Sequence, residues 1–255
     1  MDINNSKAMK MALASQEIYN KFEVISNSGF FTNWSSPPHL INIDATDTQV
    51  AILSDTYETT IVFRGSESRL DWKTNLNFRK QGKEFSQQFI DKGIIAEYKQ
   101  IYPYSTGQSS GALIHRGFAN AYLSVRYQIH NYIQTNQVSR LTVTGHSLGG
   151  ALATICALDL QYNFNSTLSD IEVYTFGAPK VGNKKFYQSY DKRVPQTHHF
   201  IYGLDIVPSL PRWWQGYFYA PQRIRLSSRW KLNFLSARIK DHSISSYIRW
   251  LEKLL

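Results

Sequence analysis

The sequence has a single cysteine in 255 residues, so no disulfide can form within the chain. Cys156 lies in an apolar helical segment, which favours a small buried residue over a nucleophile. His, Cys and Asp residues do not recur at the spacing of metal ligands, and we expect neither a metal nor a cofactor. No apolar run has the length of a transmembrane helix, and residues 1–7 lack the apolar core of a secretory signal. We therefore expect a cytoplasmic or peripheral membrane protein, with export independent of a signal as the alternative.

Acidic residues are scarce near the end of the chain. From residue 209 onwards, nine basic residues stand against two acidic ones, which gives +7 of the net charge of +9. The aromatic residues among these charges are Trp213, Trp214, Tyr217, Phe218, Tyr219, Trp230 and Phe234. This pattern fits an anionic membrane surface, nucleic acid, or a solvated basic face with its aromatic rings in the core. No nucleic-acid recognition motif accompanies it, so we expect no nucleic-acid partner.

The order of the predicted elements favours an α/β fold. A hydrophobic content of 42% and a charged content of 18% are typical of a globular protein, and 255 residues suit one domain spanning residues 1–255. Strands are predicted at 50–53, 59–63, 141–144, 171–176 and 199–202, and helices at 7–22, 119–134 and 243–255. Strands that alternate with helices predict a mostly parallel central sheet with helices on both faces. The polar segment 79–110 has little periodicity and is interpreted as an insertion.

The most informative segment is 141–153, with the sequence LTVTGHSLGGALA. A β-branched strand leads into a turn at Ser147 and then into a helix of small residues, which is the setting of a G-x-S-x-G nucleophile elbow. Gly145 and Gly149 flank the serine because a tight turn leaves no room for a Cβ. The alternative is a phosphate-binding turn, but both the G-x-x-x-x-G-K-[ST] and G-x-G-x-x-G patterns are absent.

A serine nucleophile needs a base, and that base needs an orienting acid. On α/β-hydrolase folds these partners follow the serine in the order acid, then histidine. Asp205 is the expected acid, because it follows the predicted strand at 199–202, where open α/β sheets place functional groups. Asp159 would lie on the helix after the elbow and point away from the site.

His242 is the expected base. It lies just before the last helix, where a loop can bring it over Ser147. The other downstream histidines, His198 and His199, lie at the beginning of a strand, which is the wrong end for the site. His146 is expected to be structural, with its side chain directed away from that of the serine.

An acyl-transfer site also needs hydrogen-bond donors for the oxyanion. The backbone N–H of Leu148, directly after the nucleophile, is the first candidate. Ser66 is the second, because it follows a predicted strand in the turn Arg-Gly-Ser and offers both an N–H and a hydroxyl.

Taken together, several motifs resemble the class 3 lipases, the fungal-type triacylglycerol lipase family. They are IVFRGS at 61–66, DW at 71–72 with Asn75, HRGF at 115–118, VTGHSLGGALA at 143–153, TFGAPKVGN at 175–183 and DIVPSLP at 205–211. The resemblance implies an α/β-hydrolase fold, hydrolysis of acyl-lipid esters and a lid at about 68–78. It also implies the roles given above to Ser147, Asp205, His242, Ser66 and Leu148. Tyr202, where the family commonly has asparagine, and the long segment 79–110 depart from the pattern and bear on substrate class.

The leading hypothesis is a serine hydrolase of the triacylglycerol lipase or phospholipase/lysophospholipase type. The basic and aromatic C-terminal region favours phospholipids or anionic membrane surfaces. The alternative is a non-catalytic module that binds lipid or protein on a lipase-like fold, but its usual sign, a broken triad, is absent. Peptide cleavage is compatible with the constellation and is not favoured by the lipase-like motifs.

Overall fold

The computed structural model of the chain describes residues 4–25, 34–35, 37–65, 112–227 and 240–255. Within these ranges seven strands form one sheet, and their order across the sheet follows their order in the chain. The strands are β1 (His39–Ile43), β2 (Thr48–Ser54), β3 (Thr59–Phe63), β4 (Arg140–His146), β5 (Asp170–Phe176), β6 (Thr197–Ile201) and β7 (Arg223–Arg225). The α-helices are α1 (Asn5–Glu17), α2 (Phe22–Ile25), α3 (Arg116–Thr135), α4 (Leu148–Asn163), α5 (Lys184–Arg193) and α6 (Ile244–Leu251). None of the helices in these ranges has the length and apolar character to span a membrane.

The sheet is antiparallel at one edge and parallel elsewhere. β1, β2 and β3 pair antiparallel, which confirms the predicted hairpin between 50–53 and 59–63. From β3 to β7 every pairing is parallel. Helices α3, α4 and α5 lie in the chain between successive parallel strands, as parallel pairing requires. The predicted α/β-hydrolase fold with a mostly parallel sheet is therefore confirmed.

Helices cover both faces of the sheet. Successive residues of β2 alternate between two apolar clusters, with Val50 and Ile52 in one and Ala51 and Leu53 in the other. The first cluster packs against α3, α4 and α5, and the second packs against α1 and α6. The central strands β3, β4 and β6 are buried at nearly every position because helices cover both faces of the sheet.

Four of the helices and strands were not predicted from the sequence: β1, α2, α5 and β7. The first helix is also shorter than the predicted 7–22, because α1 ends at Glu17 and a separate turn of helix, α2, follows. Asn4 caps α1, since its side chain accepts the N–H of Lys7 at 2.9 Å. The predicted lid at 68–78 and insertion at 79–110 lie outside the described residues.

Candidate active site

Ser147 occupies a strained turn between β4 and α4. Its backbone has φ 58° and ψ −127°, a left-handed conformation that is costly for a residue with a Cβ. Two hydrogen bonds hold the turn: the N–H of Ser147 donates to the carbonyl of Phe176 at 2.9 Å, and the N–H of Gly150 donates to the carbonyl of Ser147 at 3.0 Å. The turn therefore places the Ser147 hydroxyl at the carboxyl end of the parallel strands.

The glycines on either side of the serine allow the backbone segments of the elbow to touch. A Cβ at Gly145 would overlap the backbone of Gly149 at the beginning of α4. A Cβ at Gly149 would overlap the backbone of Phe63 at the end of β3. The close backbone approach inferred from the sequence is confirmed at Gly145 and Gly149. At Gly149 it brings the elbow into contact with the end of β3.

The three side chains chosen for the triad lie together. Nε2 of His242 is 2.9 Å from Oγ of Ser147, and Nδ1 of the same ring is 3.0 Å and 2.9 Å from the two carboxylate oxygens of Asp205. Because a carboxylate only accepts hydrogen bonds, Nδ1 carries the ring proton and Nε2 is left to accept from the serine hydroxyl. The arrangement can move a proton from Ser147 to His242 while Asp205 holds the ring.

The Asp205 carboxylate has two further donors. The N–H of Val207 donates to Oδ1 at 2.9 Å, and the hydroxyl of Tyr247, on α6, donates to Oδ2. Burial, followed by the charge of Asp205, raises the pKa of Tyr247 well above its ordinary value, so the phenol remains a donor. The carboxylate is thus fixed by α6 as well as by the loop after β6.

A second acidic residue, Asp241, joins the loop that carries Asp205 to the loop that carries His242. Asp241, directly before His242, accepts the N–H of Leu204 at 2.9 Å on Oδ2. Gly203 has φ +48°, and a Cβ there would overlap the Asp241 carboxylate. The turn that presents Asp205 therefore packs on the residue directly before His242, a contact that the sequence did not predict.

The ring of His146 contacts the main chain of His242. Its Nε2 is 2.7 Å from the backbone carbonyl of His242, and its Nδ1 is 2.9 Å from the hydroxyl of Tyr19, which follows α1. Burial, and then the nearby His242, lowers the pKa of His146 well below its ordinary value. The ring is therefore neutral, with Nε2 donating to the carbonyl and Nδ1 accepting from Tyr19. These two contacts are consistent with the expected structural role of His146, while the contact with Tyr19 was not predicted.

Of the two predicted oxyanion donors, the structure describes one. Leu148 is the first residue of α4, so its N–H has no carbonyl partner within the helix. Ser66 lies outside the described residues. The preceding Gly65 lies next to the elbow, where a Cβ would meet the carbonyl of His146 and the hydroxyl of Tyr19.

Asp159 and Cys156 are buried on α4 and take no part in the Ser147, His242 and Asp205 contacts. Asp159 is fully buried between α3 and α4, where it is bound by Tyr122, Arg126, His130 and Asn163. Cys156 is buried, and burial raises the pKa of its thiol well above the ordinary value, which does not suit a nucleophile. Among the described residues, no group of His, Cys, Asp and Glu could hold a metal ion.

Comparison with known sequences agrees with this geometry. The family model described as Lipase (class 3) matches residues 60–214, which is more than half of the chain. The secreted mono- and diacylglycerol lipase MDL3 of Malassezia globosa is 34% identical over 146 residues, 54% of this chain and 45% of that protein. A lipase of Rhizomucor miehei is 32% identical over 165 residues, 63% of this chain and 39% of that protein. The aligned regions thus span less than half the length of these two relatives.

Solved structures show the same fold. A triacylglycerol lipase whose catalytic centre is formed by a serine protease triad superimposes with a TM-score of 0.69 at 24% identity, covering 88% of this chain and 80% of that one. Lipase II from Rhizopus niveus superimposes with a TM-score of 0.66 at 23% identity, covering 84% of this chain and 77% of that one. At 23–24% identity, the similarity between this chain and these two structures shows a common fold alone.

Proposed function

The chain belongs to the class 3 lipase family, and on this premise we propose that it is a serine hydrolase that cleaves carboxylic esters of acyl lipids. One observation carries the proposal: Ser147, in a strained elbow, is connected through the ring of His242 to the buried carboxylate of Asp205 by hydrogen bonds of 2.9 to 3.0 Å. We assign Ser147 as the nucleophile, His242 as the general base and Asp205 as the orienting acid, within a single domain spanning residues 1–255.

In the first half of the reaction, Oγ of Ser147 attacks the ester carbonyl carbon while Nε2 of His242 takes the hydroxyl proton. The carbonyl oxygen becomes an oxyanion, which the N–H of Leu148 and the donors of Ser66 stabilise. A single donor of this kind contributes about 3–4 kcal/mol to the stabilisation of the transition state. The intermediate collapses to an acyl-enzyme, and the alcohol leaves with the proton held by His242.

In the second half, water takes the place of the alcohol. His242 removes a proton from the water, the resulting hydroxide attacks the acyl carbon, and Ser147 leaves with its proton restored. Asp205 remains ionised throughout and stabilises the imidazolium that forms in each half. All of these steps are carried by side chains and backbone groups, so we propose no cofactor.

The surface next to the Asp205 loop is suited to a lipid interface. Trp213 and Trp214 are 70% and 65% exposed, and Phe218 is also exposed. The guanidinium carbon of Arg212 is 5.6 Å from the ring centroid of Trp214, and Nζ of Lys184 is 5.9 Å from the ring centroid of Phe218. Exposed aromatic rings beside cations suit the boundary between anionic headgroups and acyl chains. We therefore propose peripheral contact with anionic membranes, with glycerides or phospholipids as the substrates.

The test is acyl release by the purified protein and by Ser147→Ala. Substrates are a soluble short-chain ester, emulsified triacylglycerol, emulsified diacylglycerol, and phosphatidylcholine vesicles with and without phosphatidylglycerol. The matched control is Ser169→Ala, which removes an exposed hydroxyl just before β5, at the amino end of that strand.

We expect Ser147→Ala to reduce kcat by about 10⁴-fold or more on every substrate that the wild type cleaves. We expect Ser169→Ala to retain wild-type activity. Unchanged hydrolysis by a folded Ser147→Ala protein would overturn the assignment, as would the absence of hydrolysis from folded wild-type protein on all of these substrates.

A further inference from the structure

A cleft that includes none of the proposed catalytic residues lies against β5, β6 and the beginning of β7. Its empty volume is about 310 Å³, counting its open mouth. Lys180 and Tyr219 line it together with Thr175, His199 and Arg223. Lys180 comes from the loop after β5 and Arg223 from the beginning of β7, so two separate parts of the chain bring positive charge to one cleft.

The two cations share one aromatic ring. Nζ of Lys180 is 3.9 Å from the ring centroid of Tyr219, and the guanidinium carbon of Arg223 is 4.3 Å from it. Lys180 is only 2% exposed, although lysine is rarely buried without a partner of opposite charge. Over the described ranges of the chain, no carboxylate pairs with Lys180 or Arg223. The positive charge of the cleft is therefore not compensated by these parts of the protein.

The cations also act on one another. Burial, followed by the charges of Arg212 and Arg223, lowers the pKa of Lys180 to about 8. The amine is still protonated at neutral pH, so the cleft holds like charges close together. An anion bound in the cleft within reach of both would relieve both the repulsion and the loss of hydration.

His199 supplies an independent sign of a ligand. Its side chain lies on the cleft wall and is 94% buried, with 6% of its surface exposed. Nδ1 is 2.7 Å from Oγ1 of Thr175, whereas Nε2 is buried without a hydrogen-bond partner. Burial, then the charges of His198 and Arg223, lowers the pKa of His199 to about 3, so the ring is neutral. When the Thr175 hydroxyl donates to Nδ1, Nε2 carries the proton and needs an acceptor.

We propose that this cleft binds a phosphate-type oxoanion, whose oxygens accept hydrogen bonds from Lys180, Arg223 and Nε2 of His199. Donors that come from three separate segments suit a tetrahedral anion, which presents oxygens in several directions. The site is distinct from the triad, and its occupancy does not depend on ester hydrolysis. Free phosphate and the phosphate of a lipid headgroup share this chemistry, and the two are separated by experiment.

The first experiment titrates the protein, residues 1–255, with inorganic phosphate at pH 7 and follows binding by calorimetry. All proteins carry Ser147→Ala, so the result is independent of catalysis. Arg223→Gln and Lys180→Met are compared with Arg249→Gln, which removes an exposed arginine from α6, away from the cleft.

We expect one saturable site per chain. Arg223→Gln and Lys180→Met should each weaken phosphate binding at least tenfold, and Arg249→Gln should leave it within twofold. If Lys180→Met does not fold, as judged by circular dichroism, Arg223→Gln carries the test because its side chain is exposed. The absence of saturable binding, or equal weakening by Arg223→Gln and Arg249→Gln, would overturn the proposal.

The second experiment identifies the source of the phosphate. Binding to phosphatidylcholine vesicles containing phosphatidic acid is measured for the same proteins, with and without inorganic phosphate. Competition by phosphate together with weaker vesicle binding by Arg223→Gln would identify a lipid headgroup. If neither inorganic phosphate nor Arg223→Gln weakens vesicle binding, and the first experiment shows saturable phosphate binding, the ligand is free phosphate. Failure of the proposed hydrolase function would appear only in acyl release by the wild type.

Discussion

The ring of His146 donates a hydrogen bond from Nε2 to the backbone carbonyl of His242 at 2.7 Å. The residue before the proposed nucleophile therefore holds the main chain of the proposed base. Tyr19, at the end of the first helical segment, fixes the same ring through Nδ1 at 2.9 Å. Three segments that are distant in the sequence are thus joined next to Ser147 in the chain by two hydrogen bonds.

Removing this support should slow the chemical step. His146→Phe keeps a ring of similar size and removes both hydrogen bonds, so the loop that carries His242 is no longer fixed. We expect kcat on a soluble ester to fall by about tenfold to a hundredfold with little change in KM, because misplacement of a catalytic group acts mainly on the reaction step. Tyr19→Phe removes only the outer hydrogen bond and should cost less. A His146→Phe protein with wild-type kcat would show that the carbonyl contact does not position the base.

The acid and its tyrosine partner should differ in their effect on the reaction. Asp205→Asn places an amide where a carboxylate held the ring proton of His242, and we expect kcat to fall by about 10⁴-fold. Tyr247→Phe removes one donor and leaves the other contacts of Asp205, so a loss of about tenfold or less is expected. The measurement is kcat for both variants on one soluble ester. A loss from Tyr247→Phe as large as that from Asp205→Asn would mean that the phenol takes part in proton transfer.

The pH dependence of stability provides a test of burial at His115. Burial lowers the pKa of this N-cap residue to about 4, from the ordinary value of 6.5. As the pH falls below 6.5, His115 becomes protonated in the unfolded chain but stays neutral in the folded chain. The contribution of His115 to the free energy of unfolding is therefore fully present above pH 6.5 and is lost as the pH falls towards 4. Between pH 7 and pH 5 this single group should cost about 2 kcal/mol of unfolding free energy.

His115→Asn is the variant that isolates this effect. Asparagine can cap the helix in the same way but does not titrate, so its stability should fall less between pH 7 and pH 5 than that of the wild type. Urea unfolding at the two pH values measures the difference. Parallel losses in the two proteins would show that His115 is protonated in the folded state as readily as in the unfolded chain.

The exposed tryptophans should contribute to membrane binding and not to chemistry. The double variant Trp213→Ala, Trp214→Ala removes apolar surface that would be buried at a lipid interface, and we expect binding to anionic vesicles to weaken by about tenfold or more. Activity on a soluble ester should stay close to the wild-type value. Tyr127→Ala, which removes an equally exposed ring from α3, is the control. Equal vesicle binding by the double variant and the wild type would exclude these rings as an anchor.

Most of the sheet was predictable because its strands are rich in β-branched and aromatic residues and end in recognisable turns. β3 has the predicted bounds, and β4 and β5 extend the predicted strands by at most two residues at either end. β7 has only three residues, too few for a pattern to appear. The signal for α5 was present, since Asn183 caps a segment with Phe186, Tyr187 and Tyr190 on its buried side, but charged residues around them obscured it.

The order of Ser147, Asp205 and His242 along the chain was enough to select three side chains that the structure brings within hydrogen-bond distance. The contacts that hold them could not be predicted in the same way. Tyr19 and His146 are 127 residues apart, and Tyr247 lies in a segment for which the sequence predicted only a helix, at 243–255. Such contacts are determined by tertiary packing, for which a single sequence carries no local pattern.

The most direct test of the account is titration with a p-nitrophenyl alkylphosphonate, which phosphonylates an activated serine and cannot be hydrolysed further. Released p-nitrophenol gives the number of reactive groups, and peptide mass spectrometry locates the adduct. The account predicts one equivalent of nitrophenol per chain, a single adduct on Ser147, and none on Ser147→Ala. An adduct on another residue, or no adduct on a protein that hydrolyses acyl esters, would contradict it.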